Sequence, residues 1–201
     1  MTTAVRAIVA ISAAVLPGMA YPDSDAAGKP IPTTLCELVN QPDRFNGKMV
    51  TVRGLVEIAF ENFRLDAKDC DGRNIDAVWL EYGKGPKKQP TTWCCGDMVP
   101  RDELEVLEND EFRDFHRYLT AQKRTEGCHE GECYLYMVTA NLTGRFDAAT
   151  KTEPCPGNRN AHCCPSGGFG HFGFSCARLV IQSVSDVVAK PIEPLKDEKK
   201  N

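Results

Sequence analysis

Several short patterns that carry enzyme chemistry are missing from this 201-residue chain. It has no Gly-x-Ser-x-Gly turn to present a nucleophile and no His-Glu-x-x-His helix. It also has no Gly-x-x-x-x-Gly-Lys phosphate cradle. The common serine-hydrolase, zinc-protease and phosphate-loop routes are therefore excluded. No Cys-x-x-Cys occurs, which removes the zinc-ribbon, thioredoxin and haem-attachment spacings. Positive charge is in short supply: 24 Lys and Arg stand against 28 Asp and Glu, a formal net charge of -4. A nucleic-acid binder usually has the opposite balance. No apolar stretch reaches the roughly 18 residues of a membrane-spanning helix. Asp69, Asp71, Gly72 and Asn74 hint at a calcium loop. With Gly72 in the glycine position, however, Ala67 and Val78 fall where acids are required, so a plain Asp/Asn/Gly turn is expected.

What the chain has in excess is cysteine: ten residues, an even number. Residues 1–20 read as a secretory signal peptide. Arg6 is the positive start, Ala7 to Leu16 the apolar run, and Pro17, Gly18 and Ala20 a breaker with a small-residue cleavage site. Every cysteine follows that segment, and Cys36 is too far along to be a lipid anchor. Cleavage removes Arg6 and takes the basic count from 24 to 23 against 28 acids, a balance of -5. The expected product is exported, periplasmic or secreted, where disulfides persist.

Residues 21–32, rich in proline and small polar side chains, read as a flexible leader, and 190–201 as a charged tail. Residues 33–189 form one domain. Thr34 to Asn40 has the capping-box spacing of a short helix (Thr34, then Glu37), with Leu35, Leu38 and Val39 on one face and Pro42 as its stop. Asn46-Gly47 marks a tight turn. From Val50 the period becomes two: Val50, Val52, Gly54, Val56, Ile58 and Phe60 share one side. Gly54 within that long strand predicts a bend or bulge. Further strands are expected through Phe63 and Leu65, from Ile75 to Tyr82, from Tyr134 to Phe146 and from Ala177 to Val188. A helix is expected from an Asp102 cap, with Leu104, Leu107, Phe115, Tyr118 and Leu119 as its stripe. The sum is a mainly β chain. It reads as a five-stranded OB-fold-like Greek-key barrel with a short N-terminal helix and a helix between strands three and four. Disulfide-stapled insertions are expected at 83–133 and 147–175. A β-sandwich usually needs about seven strands.

The stretch Leu35-Cys36-Glu37-Leu38, Gln41-Pro42, Phe45, Gly47-Lys48, Val50, Val52, Gly54, Phe60-Glu61 and Leu65 resembles a group of uncharacterised exported bacterial proteins with an OB-type domain. Asp69-Cys70, Trp79, Gly168-Phe169-Gly170-His171 and Leu179-Val180 extend the resemblance. It covers somewhat under half of the chain, all within the expected barrel. It implies a fold and no activity. The cysteine-rich stretches at 94–95, 128–133 and 155–164 go beyond it.

Cys36, Cys70, Cys94, Cys95, Cys128, Cys133, Cys155, Cys163, Cys164 and Cys176 are all disulfide candidates. Ten cysteines allow about 945 full pairings. Cys36–Cys70 is the first expectation and Cys128–Cys133, across a glycine turn, the second. The adjacent pairs should bond outward to other loops. A second reading makes the chain an envelope protein that binds copper or zinc through His162, Cys163, Cys164 and His171, with His129 and Met98 in reserve. An enzyme with an unrecognised site is the third. The favoured reading is a non-enzymatic binding or interaction module without cofactor. Its partner would be a small molecule, a saccharide, a peptide or an envelope protein. The OB layout places ligands at the loop before the last strand, here about 29 residues from Asp147 to Ser175. Phe169 and His171, among the glycines there, and Arg159 are its candidate ligand-facing residues. Asn141-Leu142-Thr143 matches a glycosylation sequon inside an expected strand.

Overall fold

The computed structural model describes residues 29–59, 62–71, 75–84, 104–121, 135–149, 153–155, 158–164, 168–170, 173 and 175–192. The segment read as a signal peptide lies outside them. So do Cys94, Cys95, Cys128, Cys133, His129, His171 and Met98, and the side chains of Cys155, Arg159, His162 and Cys163.

The first helix forms where its capping residues require. In α1 (Leu35–Asn40) the Thr34 hydroxyl accepts the Glu37 amide at 3.2 Å, and the Glu37 carboxylate accepts the Thr34 amide at 3.0 Å. These two reciprocal bonds satisfy donors that a helix start leaves open. Pro42 does end α1, but it also opens a second short helix, α2 (Pro42–Phe45), at a position where a missing N–H costs nothing. Leu38, Val39 and Phe45 are buried, and Gly47 turns at φ +72° into the long strand.

That strand is β2 (Lys48–Ala59). Val50, Val52 and Val56 are buried, whereas Leu55, the exception to the pattern, is 45% exposed. The strand pairs antiparallel with β3 (Asn62–Asp66), which pairs antiparallel with β4 (Ala77–Tyr82). β4 runs parallel to β8 (Ala177–Pro191), and β8 antiparallel to β5 (Tyr136–Ala148). β5 also pairs with β2, antiparallel. The chain is thus mainly β, with a six-stranded mixed sheet in the order β1-β2-β3-β4-β8-β5. The sixth strand, β1 (Ile31–Thr33), lies parallel to Val50–Val52 of β2. It begins within the last residues of the segment read as a flexible leader. A hairpin of β6 (Glu153–Cys155) and β7 (Asn158–Cys163) sits in the second expected insertion.

Two local expectations need correction. The β2–β5 register runs unbroken from Lys48 opposite Phe146 to Val56 opposite Val138, so no bulge falls at Gly54. Gly54 instead leaves room for Leu65, whose Cδ2 would lie 2.9 Å from an added Cβ. The irregularities fall on the other side of β5, between Thr139 and Asn141 and between Thr143 and Gly144. The helix α3 spans Asp110–Thr120, later than Asp102. Its cap is Asn109, whose side-chain oxygen accepts the Phe112 amide at 2.9 Å. Leu104 and Leu107 precede it in extended chain: Lys84 bridges Glu105, and the Leu107 amide donates to the Gln182 carbonyl at 2.6 Å. Backbone pairing outcompeted helix propensity there, and Leu107 is 58% exposed. The buried stripe of α3 is Phe112, Phe115 and Leu119.

The core lies between α3, α1 and the inward residues of the sheet, among them Phe63, Leu80, Leu142, Phe146, Leu179 and Ile181. Tyr82 sits edge-on to Phe63 and Phe112, with centroids 5.5 and 4.9 Å away. Its hydroxyl lies 3.3 Å from His116 Nδ1. Burial pushes the Tyr82 phenol far above its ordinary range, so it stays protonated.

Candidate functional site

The register aligns one residue from each of five neighbouring strands. Glu57 is opposite Arg64, Arg64 opposite Trp79, Trp79 opposite Arg178, and Arg178 opposite Asp147. Directly paired residues share a face. This row therefore occupies the outward face of the sheet, since Leu65, Val78, Leu179 and Phe146 beside it belong to the core.

The two ends of the row differ in exposure. At the β2–β3 end, Arg64 donates to Glu57 at 3.0 Å, with side chains 39% and 28% exposed. Lys68 adds Asp66 at 3.3 Å. Burial pushes the Asp66 carboxyl up, but hydrogen bonds from the Lys68 amide and ammonium outweigh it and hold it below the ordinary range. At the β8–β5 end Glu81, Arg178 and Asp147 are nearly enclosed, and Arg145 is about one-third exposed. Arg178 donates through Nη1 to Glu81 at 2.9 Å and through Nε to Asp147 at 2.8 Å. Arg145 donates to the same Asp147 from Nε at 2.8 Å and Nη2 at 2.9 Å. Burial raises the Asp147 carboxyl, yet the hydrogen bonds and charges of Arg145 and Arg178 outweigh it and hold the group below its ordinary range. Two guanidinium groups face two carboxylates, so the cluster is balanced in charge. Asp147 is anionic at neutral pH and occupied by its partners, the setting of an orienting group rather than a proton carrier.

A short loop covers this enclosed end. Cys164 is bonded to Cys176, 12 residues on. Between them Phe169 and Ser175 exchange backbone hydrogen bonds of 2.7 and 3.0 Å. The Phe169 ring centroid lies 4.8 Å from the Arg178 guanidinium carbon, within cation–π range. Gly170, at φ +72°, packs so closely on Trp79 that an added Cβ would fall 2.4 Å from the indole. Only glycine combines that backbone angle with that approach. Trp79 and Val180 are buried here, outside the main cluster of core side chains.

Of the residues singled out by sequence, the structure brings Phe169 to the row. It joins Cys36 to Cys70 as expected, tying α1 to the chain just after β3. The Asn40 side-chain amide, donating to the Asp71 carbonyl at 3.0 Å, reinforces that tie. Cys164 bonds outward from its adjacent pair, to Cys176. The other members of the copper or zinc set, His162, Cys163 and His171, have side chains outside the described residues. Among the described residues no group of three or more His, Cys, Asp or Glu is placed to hold a metal. Arg64, Glu81, Arg145, Asp147 and Arg178 were not anticipated as a group. The alternating outward polar residues of β3, β5 and β8 were the available signal, but sequence does not say which strands become neighbours. The two disulfides among the described residues point to a non-cytoplasmic compartment. No helix among the described residues is long and apolar enough to cross a membrane. Comparison with known proteins found no matching family model, no matching curated protein and no matching solved structure.

Proposed function

We propose that the chain is an exported, non-enzymatic binding module built on an OB-like five-stranded barrel. The closed circuit of pairings supports the barrel: β2, β3, β4, β8 and β5 each have a neighbour on both sides. The parallel β4–β8 pair and α3, which falls between β4 and β5 in the chain, agree with it. Residues 1–20 act as the signal peptide, in line with the resemblance to exported bacterial proteins.

The observation that carries the binding reading is the outward row, with Phe169 standing over its Arg178. Its charges are compensated internally, so it offers little net attraction to an ion. It does offer an aromatic face, guanidinium donors and carboxylate acceptors. A neutral, hydroxyl-rich ring such as a saccharide matches that chemistry, stacking on Phe169 and hydrogen bonding along Arg64 and Glu57.

The test is titration of ¹⁵N-labelled mature protein with neutral oligosaccharides, charged oligosaccharides and short peptides. Neutral sugars should shift amides of Arg64, Phe169 and Arg178, and Phe169→Ala should abolish the effect. Shifts confined to other strands, or a response to peptides alone, would replace the saccharide reading with a protein-partner one.

A further inference from the structure

The backbone that carries Phe169 over Arg178 is fastened twice. One fastening is the Phe169–Ser175 backbone pair and the other is the Cys164–Cys176 disulfide. Phe169 and Gly170 lie over the outward side of the sheet and are not part of the core, whereas the Cys164 and Cys176 that tether them are buried at its edge. Phe169 meets the sheet at Arg178 and Gly170 meets it at Trp79. A second disulfide among the described residues, Cys36–Cys70, ties α1 to the chain just after β3.

We propose that the Cys164–Cys176 bond makes this face thiol-sensitive. A dithiol reductant cleaves the S–S bond, Cys164 and Cys176 become thiols, and the reductant becomes a disulfide, a balanced transfer of two electrons and two protons. Cys164 and Cys176 are 9% and 3% exposed, so exchange follows local opening of the segment. Once cut, the segment no longer holds Phe169 on Arg178, and Trp79 is uncovered while the sheet and core persist. The proposal rests on the binding reading for its meaning, since a displaced Phe169 no longer presents its ring to a ligand. Its test needs no ligand.

The experiment is acrylamide quenching of Trp79 in a Trp93→Phe background, where it is the one remaining tryptophan. The Cys164→Ser/Cys176→Ser pair should raise the quenching constant by about threefold or more with far-ultraviolet circular dichroism unchanged, as local opening requires. The Cys36→Ser/Cys70→Ser pair should leave quenching unchanged. A shielded Trp79 in the first pair, or equal exposure in both pairs, would overturn the proposal. Should the serine pair fail to fold, the folded disulfide-bonded protein is treated with a dithiol and its alkylated cysteines are mapped by mass. Modification of Cys164 and Cys176 with Trp79 still shielded overturns it as well. A protein that binds no saccharide, yet uncovers Trp79 on cleavage, overturns only the binding reading.

Discussion

Along β4 and the Arg178–Ile181 stretch of β8, the inward and outward faces are both largely closed to water, and by different chemistry. Inward, Val78, Leu80, Tyr82, Leu179 and Ile181 meet apolar side chains from every layer. Outward, Trp79, Glu81, Arg178 and Val180 are closed by one disulfide-held segment and an ion-pair cluster. The inward face depends on filled volume and buried apolar area rather than on directed pairs, because dispersion and burial have no direction. The outward face depends on particular pairs. Its ion pairs offset a desolvation cost, so losing one partner leaves charge in a dry place.

Four substitutions can break or sharpen this contrast. Phe146→Ala empties the inward core and should cost about 3–5 kcal/mol, read from the urea midpoint. Arg178→Met takes the guanidinium from Glu81 and Asp147 and should cost about 2–3 kcal/mol, even though Met preserves much of the volume. A loss no larger than that of an exposed ion pair would mean the outward face is solvated. Phe169→Ala removes the ring over Arg178 but leaves the ion pairs, and should cost about 1 kcal/mol.

The smallest effect is confined to acid. Asp147 has a depressed carboxyl pKa, so its contribution is complete above the unfolded value, about 3.9, and is lost as pH falls through the depressed folded value. The stability gap between the wild type and Asp147→Asn should therefore be constant from pH 7 to about pH 5 and close below about pH 4. Urea midpoints across that range measure it. A gap that widened in acid would reverse the assignment of Arg145 and Arg178 as the cause.

The legible parts of the fold are those with short-range causes. Thr34 and Glu37 lie three residues apart and cap one helix turn, so their spacing alone foretells α1. The alternation from Val50 foretells β2 because a strand's period is local. α3 was misplaced at its start because six acids from Asp102 to Glu111 resemble a helix N-terminus, while Leu104–Leu107 is claimed by pairings to Lys84 and Gln182. β4 does not alternate in burial: Val78 through Tyr82 are all buried, so its outward Trp79 and Glu81 carried no polar-out signal. Phe169 stood out as an aromatic among glycines, but its partner Arg178 did not, being one outward residue among many.

Spacing and alternation close along the chain were enough for the capped first helix, the long strand β2 and the mainly β character; the Cys36–Cys70 bond was the first expectation among many pairings and joins residues 34 apart. Tertiary structure alone decided that Glu57, Arg64, Trp79, Arg178 and Asp147 share one row, and that Phe169 closes its end. Those five residues are spread over 122 positions of sequence, from Glu57 to Arg178, and meet only through the register of four strand pairs. Register is fixed by the summed burial of whole strands, and no local pattern encodes that sum.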